Sequence, residues 1–166
     1  LKDYFPAATH TIDPTNDLLD SHLLKCPTLW DAISDLPEIN AREGSEESEY
    51  TKPPTTDLQL LLRGNASILH NHKAMMHSKR LVERFESMSW GQSGSDAPEH
   101  LRPLKRNSTE FATKVYDQNN RRMYPERQCH TIPASFYANF VHPYKHRNFT
   151  AREGARIQTF PDHFVF

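Results

Sequence analysis

The stretch HRNFTAREGARIQTFPD, residues 146–162, decides the reading of this chain, because it joins a helix-start device to a closely spaced set of charged and amide side chains. Thr150 and Glu153 stand in capping-box spacing: the Thr hydroxyl can accept from the Glu153 amide while the Glu carboxylate reaches back to the Thr150 amide. A helix is predicted to begin at Ala151 and to run about two and a half turns before Pro161 stops it. Arg152 and Arg156 share one face at i, i+4. Glu153 and Arg156 are placed to pair at i, i+3, and Ile157 and Phe160 supply an apolar stripe.

Working outward, Thr28 caps a predicted short helix from Leu29 to Asp35, with Asp31 as the acid of its first turn and Pro37 as its stop. Leu29, Trp30, Ile33 and Leu36 make that helix a core element. Residues 55–63 read as another short helix. Residues 71–89 read as the longest one, with Leu81, Val82, Phe85 and Met88 on the apolar side and Lys73, Lys79, Arg80 and Arg84 on the rest, ended by Gly91, Gly94 and Pro98. Residues 43–54 are acidic, Ser-rich and Pro-flanked, which predicts a loop. From Thr131 to Val141, Ile132, Ala134, Phe136, Ala138 and Phe140 alternate with polar residues, the period of a half-buried strand, and Pro133 places it at an edge or a bulge. The expected fold class is therefore α+β: a small, irregular, mostly antiparallel sheet with short helices and long loops.

A chain of 166 residues with 36% hydrophobic content and a mean hydropathy of -0.77 supports one domain with a modest core, and twelve prolines against five glycines favour irregular segments. No apolar run reaches the roughly 18 residues a membrane span needs, and no signal peptide is legible, so a cytoplasmic protein with no membrane partner is expected, nucleoid-associated if bacterial. Cys26 and Cys129 are too few for a disulfide framework. His70, His72 and His77 invite a metal reading, but no pair has i, i+4 spacing and no cysteine lies nearby, so a structural or surface role is favoured and no metal site is expected.

Net charge is only -1, yet its distribution is uneven. Residues 1–60 carry four Lys or Arg against twelve Asp or Glu, a net of -8, whereas residues 101–156 carry eleven against four, a net of +7. Lys105, Arg106, Lys114, Arg121, Arg122 and Arg127, interleaved with Tyr116 and Tyr124, form the composition of a phosphate-tracking surface; the alternative is plain surface solvation. Base edges are read most efficiently by Arg on guanine and by Asn or Gln on adenine, which draws attention to Asn107, Asn119, Asn120, Arg121 and Arg122 between Gln92 and Arg127.

The string Arg147-Asn-Phe-Thr150, Arg152-Glu153, Arg156, Gln158 and Phe160-Pro161-Asp162 resembles the ninth sequence motif of the DNA cytosine-5 methyltransferases, matching each of its anchor positions. TLWDAISDLP at residues 28–37, Asn71-His72, Arg84, Gly91, Arg122-Met123, Thr131-Ile132 and His142-Pro143 are similar to the order found between that family's eighth and ninth motifs. The resemblance implies a connecting segment at 1–27, a target-recognition domain at 28–146 and, at 147–166, the ninth-motif helix and turn leading back to a catalytic domain. It implies double-stranded DNA and that catalytic domain as partners. In the resembling family, the Thr of the Thr-Ile dipeptide contacts the backbone next to the target base, a role that falls here to Thr131. The expected DNA-binding set is Lys105, Arg106, Asn119, Asn120, Arg121, Arg122, Thr131 and Ser135. Arg147, Thr150, Arg152, Glu153, Arg156 and Gln158 are expected to be structural, tying the recognition region to the catalytic domain.

A cytosine-5 methyltransferase also needs a Gly-rich loop for S-adenosylmethionine, a Pro-Cys nucleophile and a Glu-Asn-Val run that steadies the flipped base. None occurs in this sequence: Cys26 precedes Pro27, and Cys129 lies between Gln128 and His130. A tenth motif after Phe166 is absent too. The chain reads as the recognition portion of such an enzyme, a piece or one subunit of a split enzyme of a restriction-modification type, inactive alone and binding no cofactor, with S-adenosylmethionine used by the full enzyme. Two other classes stay open: a non-catalytic protein-interaction domain docking through the acidic half, and a His-dependent metal nuclease.

Overall fold

The computed structural model describes residues 6–12, 22–105, 107–112 and 119–166. In chain order the elements are β1 (His10–Thr11), β2 (Leu24–Lys25), α1 (Leu29–Ile33), β3 (Gly44–Glu49), α2 (Asp57–Arg63), β4 (Ile68–Lys73), α3 (Lys79–Glu86), a single 3-10 turn (Glu99–Leu101), β5 (Arg121–Arg122), α4 (Phe136–Asn139), β6 (Phe140–Val141) and α5 (Ala151–Ile157). The class is α+β as expected, but the strands make three two-stranded pieces instead of one sheet. The β3–β4 ribbon is antiparallel, whereas β1–β2 and β5–β6 are two-residue parallel pairs. Among the described residues no helix is long and apolar enough to cross a membrane.

Helix starts follow the side-chain oxygens. Thr28 and Asp31 complete a capping box on α1, Thr56 accepts from the Gln59 amide on α2, Ser78 accepts from the Leu81 amide on α3, and Thr150 and Glu153 complete the box on α5. The helix predicted from residue 71 starts later, at Lys79. Asn71 to Lys73 belong to β4, where Leu69 and His72 turn inward and Asn71 has φ +61. Apolar spacing reached back too far, while the Ser78 cap marked the true start.

The acidic stretch expected to be a loop is instead β3. Glu46 lies 3.5 Å from Lys73 and Glu47 lies 3.8 Å from His70 across the ribbon, so polar cross-strand pairs replace the missing apolar alternation. Gly44 is required where the ribbon begins: it has φ +87, and a side chain there would collide with the His72 carbonyl. The strand predicted over 131–141 is confined to Phe140–Val141. Ahead of it the Pro133 carbonyl accepts the Phe136 amide at 3.0 Å, starting the one-turn α4, and Ala134 and Ala138 are exposed, so the alternating alanines mark no buried face.

The core gathers Leu29, Ala32, Ile33 and Leu36 from and beside α1, Leu69 from β4, and Met123, Phe140 and Phe149. Helix α5 packs on α1 and β4, and beside Ala155 and Ile157 it sends charged side chains inward. Arg152, Glu153 and Arg156 are 0–2% exposed, as is Arg147 just before the helix. The predicted Glu153–Arg156 pair does not form. Glu153 accepts two 2.7 Å bonds from Arg147, while Arg156 donates to Asp35 at 2.8 and 3.3 Å and to Asp162 at 2.7 and 2.6 Å. Geometry decides this: Arg156 meets two carboxylates brought from α1 and the turn after Pro161, and Tyr50 adds a 2.6 Å donor to Asp162.

Removing one member of a buried, hydrogen-bonded ion cluster leaves its partners charged and desolvated. Arg156→Leu should therefore lower the unfolding free energy by about 3–5 kcal/mol, read by urea denaturation, whereas loss of the exposed Lys79–Glu83 pair should change it by less than about 0.5 kcal/mol.

Candidate nucleic-acid interface

Strand β5 sets the geometry. The Gly91 amide donates to the Arg122 carbonyl at 2.7 Å and the Arg122 amide to the Gln92 carbonyl at 2.8 Å, so residues 91–92 flank β5 on one edge and β6 pairs with it on the other. Gly91 has φ +82, and a side chain there would run into the Tyr124 ring, which fixes glycine at this turn. The neighbouring arginines then part company. Arg122 is 4% exposed; its guanidinium donates to the carbonyls of Phe85, His142, Pro143 and Lys145 and meets Nδ1 of His146 at 3.1 Å. It binds three chain segments together and has no surface left for a phosphate, which corrects its assignment to the DNA-binding set.

Arg121 is half-buried, donates to the Gly91 carbonyl at 3.0 Å, and lines an open groove of about 540 Å³ with His130, Thr131, Pro133, Asn139 and Phe140. Two of the sequence-derived candidates, Arg121 and Thr131, thus share one surface. Asn119 is exposed, and Asn120 holds a turn with φ +54 through its amide bond to the Ala138 carbonyl, on the approach to that groove. Ser135 is exposed, takes a 3.5 Å bond from the Asn139 side chain and does not line the groove. Lys105 sits on a tight turn closed by the Leu104–Phe111 bridge, paired with Glu110 at 2.6 Å. Arg106, Lys114 and Tyr116 lie outside the described residues. His130 and Asn139 were missed as groove residues; the signal available was their flanking of Thr131 and the β6 start.

The ninth-motif residues lie on the inner side of the molecule, apart from Gln158, which is exposed. Arg147 donates to the Ile39 and Asn148 carbonyls, both at 2.9 Å, and Arg152 to the His70 carbonyl at 2.9 Å and the Pro161 carbonyl at 3.3 Å. Burial alone would raise the Glu153 carboxyl, but the Arg147 guanidinium, through its charge and its two hydrogen bonds, holds it well below the usual carboxylate range. Burial pushes the buried histidines toward the neutral form. Burial lowers His142 to about 3 against the pull of Glu153, and its Nδ1 accepts the amides of Tyr144 and Lys145 at 3.1 and 3.0 Å. Burial also lowers His72, whose ring bridges the Pro37 carbonyl at 2.8 Å and the Thr150 hydroxyl at 3.0 Å. Both nitrogens of His72 are thus engaged inside the fold, and among the described residues no group of three or more His, Cys, Asp or Glu is placed to hold a metal ion. The Cys129 thiol is pushed up to about 12 by burial, so it carries almost no thiolate near neutrality.

Residues 32–166 match the family model described as C-5 cytosine-specific DNA methylase. The chain belongs to this family. It is 41% identical over 167 residues to the type II methyltransferase M.DdeI of Desulfomicrobium norvegicum, covering 100% of this chain and 40% of that protein. It is 30% identical over 193 residues to the type II methyltransferase M.AgeI of Thalassovita gelatinovora, covering 84% and 44%. A solved structure described as a DNA modification methyltransferase encoded within an E. coli prophage superimposes with a TM-score of 0.60 at 25% identity, covering 86% of this chain and 39% of that one. The chain spans about two-fifths of the length of these methylase relatives.

The buried histidines make a pH prediction with a definite sign. A His held neutral binds fewer protons folded than unfolded, so its stabilisation is complete above the unfolded value of about 6.5 and is lost as pH falls toward the folded one, about 3 for His142. Glu153, also lowered, adds loss in the same direction below the usual carboxylate range. The unfolding free energy should drop between pH 6.5 and 4 by up to about 1.4 kcal/mol per pH unit on account of His142, with His72 adding in the same direction, and His142→Asn should flatten that slope. Urea denaturation at a series of pH values reads both.

Proposed function

We propose that this chain is the DNA-recognition portion of a C-5 cytosine methyltransferase, with residues 28–146 carrying the recognition surface and residues 147–166 the helix and turn that brace it from below. It holds duplex DNA and contributes to sequence choice. Transfer of a methyl group from S-adenosylmethionine to C5 of a flipped cytosine belongs to a catalytic portion that the longer relatives have room for. The observation that carries the reading is the open groove shared by Arg121, His130, Thr131 and Asn139 in a chain of this family. A cation, a hydroxyl and an amide on one concave surface suit phosphate and base-edge contacts, with Asn119, Asn120 and the Lys105 turn placed to extend them. A cytoplasmic or nucleoid location follows from the DNA substrate.

The residues present do not fit S-adenosylmethionine or the methyl-transfer nucleophile. Gly44, Gly91 and Gly154 are closed against the His72 carbonyl, Tyr124 and Phe136, so they cradle no ligand. Neither cysteine follows a proline, and the Cys129 thiol is held protonated. No chemical step is therefore assigned to this chain.

Salt dependence of duplex binding tests the proposal. Each phosphate neutralised contributes a slope of about -0.9 in log K against log salt. Lys105→Ala with Arg121→Ala should flatten the slope by roughly two phosphate-equivalents while leaving the fold intact by circular dichroism. Arg122→Ala should instead lower stability, because it strips the carbonyls of Phe85, His142, Pro143 and Lys145 of their donor. An unaltered slope in the double variant removes the groove as a DNA face.

A further inference from the structure

A pocket between residues 40–42 and the start of α3 shares no residue with the Arg121 groove. It encloses about 410 Å³, its walls include Asn40, Arg42, His77, Lys79 and His146, and no Asp or Glu lines it. Its two histidines are set as donors by what holds their other nitrogens. The Asn148 amide can only donate, and it donates to Nε2 of His77 at 3.2 Å, so that ring carries its proton on Nδ1. The Arg122 guanidinium can likewise only donate, and it meets Nδ1 of His146 at 3.1 Å, so the second ring carries its proton on Nε2. Burial pushes both rings toward the neutral form, which leaves each a single N–H. His77 is 5% exposed, and among the described residues nothing accepts from its Nδ1. A sequestered donor without an acceptor is costly, so whatever enters the pocket has to accept from it.

Arg42 supplies charge. Its φ of +73 is uncommon for a residue with a side chain, and its amide bond to the Met75 carbonyl at 3.1 Å and Nε bond to the His77 carbonyl at 3.0 Å hold the guanidinium beside residue 77. The two terminal nitrogens of that guanidinium have no partner among the described residues. Lys79 opens α3, whose first turn carries no acid, so the positive end of the helix adds to its ammonium; its contact with Glu83 is a loose 3.9 Å. Glu43, beside Arg42, is turned onto the Asn40 amide at 2.6 Å. We infer that this pocket is an oxyanion site for the phosphate group of a ligand: the terminal nitrogens of Arg42 fork onto its oxygens, His77 Nδ1–H and His146 Nε2–H donate to others, and Lys79 balances the charge. A metal ion is not the occupant, because each of these four groups offers a protonated nitrogen. The donors come from three segments, and a tetrahedral phosphate has oxygens for all of them where a carboxylate has two. A DNA backbone phosphate and a free phosphate share this chemistry. The site does not rest on the recognition reading, since free phosphate tests it without DNA.

The test follows the histidine ring signals of this chain by NMR during titration with inorganic phosphate, against sodium chloride of matched ionic strength at fixed pH. The His77 and His146 signals should move together and saturate, while that of the exposed His163 should stay in place. Arg42→Gly puts at this position the residue that takes φ +73 without strain, so it should keep the circular dichroism while weakening phosphate binding at least about tenfold. Lys79→Gln, at an exposed side chain, should weaken it about threefold. Absence of a saturable shift up to about 100 mM phosphate overturns the proposal, and so does a shift that Arg42→Gly leaves unchanged. A duplex arm then names the source. If the site takes a DNA phosphate, duplex moves the same two ring signals and competes with inorganic phosphate. If it takes a free phosphate, duplex leaves them in place and inorganic phosphate binds the duplex-loaded chain equally well. Either result upholds the site, and the Lys105 and Arg121 salt experiment can fail without touching it.

Discussion

The Arg156 guanidinium, wholly buried between Asp35 and Asp162, is the constraint on which the rest of the structure depends. It joins α5 to α1 across 121 residues of chain and fixes the turn after Pro161 to the helix it follows. Burial by itself opposes the charge, and the two carboxylates reverse that balance. The arrangement holds only if each further lone pair is met, and the Tyr50 hydroxyl does so for Asp162. Arg152 and Arg147 repeat the solution with Asp162 and Glu153, Arg152 giving a further donor to a β4 carbonyl and Arg147 one to the Ile39 carbonyl after α1. A core of modest apolar content is thereby given a single geometry by directional bonds instead of by hydrocarbon volume.

That constraint orders the surface. With α5 fixed, Gly154 admits the Phe136 ring, and α4 seats against the helix. The Thr131–Asn139 segment is then held between α5 and β5, with Thr131 and Asn139 facing Arg121 in the open groove. On the opposite edge of β5, Arg122 draws together the end of α3 and the turn at 142–146. The Trp90 indole donates to the Pro143 carbonyl at 3.1 Å, and its ring meets Tyr144 edge-on at 5.8 Å, so the same turn is braced from both sides. The groove is a product of buried polar chemistry one layer below it.

Much of this was legible in the sequence, and for identifiable reasons. Thr28 with Asp31 and Thr150 with Glu153 announce helices through local bonds that need no tertiary context, and both helices start where those boxes put them. Strands were less legible. β3 is a strand because β4 lies beside it, with His70 opposite Glu47 and the Lys73 side chain reaching Glu46, information that resides in another segment. The alternation at 131–140 misled because alanines counted as apolar without being buried. Of the DNA-facing candidates, Thr131 and Arg121 fall together in the groove, while Arg122, adjacent and chemically identical to Arg121, falls inside. Nothing in the residue type separates the two; successive strand residues point to opposite faces, and the face that Arg122 takes meets the carbonyls of 142–145.

The charge asymmetry between the halves of the chain has the same origin. Eleven Lys and Arg between residues 101 and 156 look like a basic face, but Arg122, Arg147, Arg152 and Arg156 are among the least exposed side chains of the molecule. Part of the excess is spent on the acidic half: Asp35 receives Arg156, and Glu38 receives Lys145 at 3.0 Å. The halves are complementary partners within one fold, which is why a chain with a net charge of -1 can carry blocks of -8 and +7. A charge run with buried arginines therefore overstates the basic surface, because four of its cations lie inside the fold.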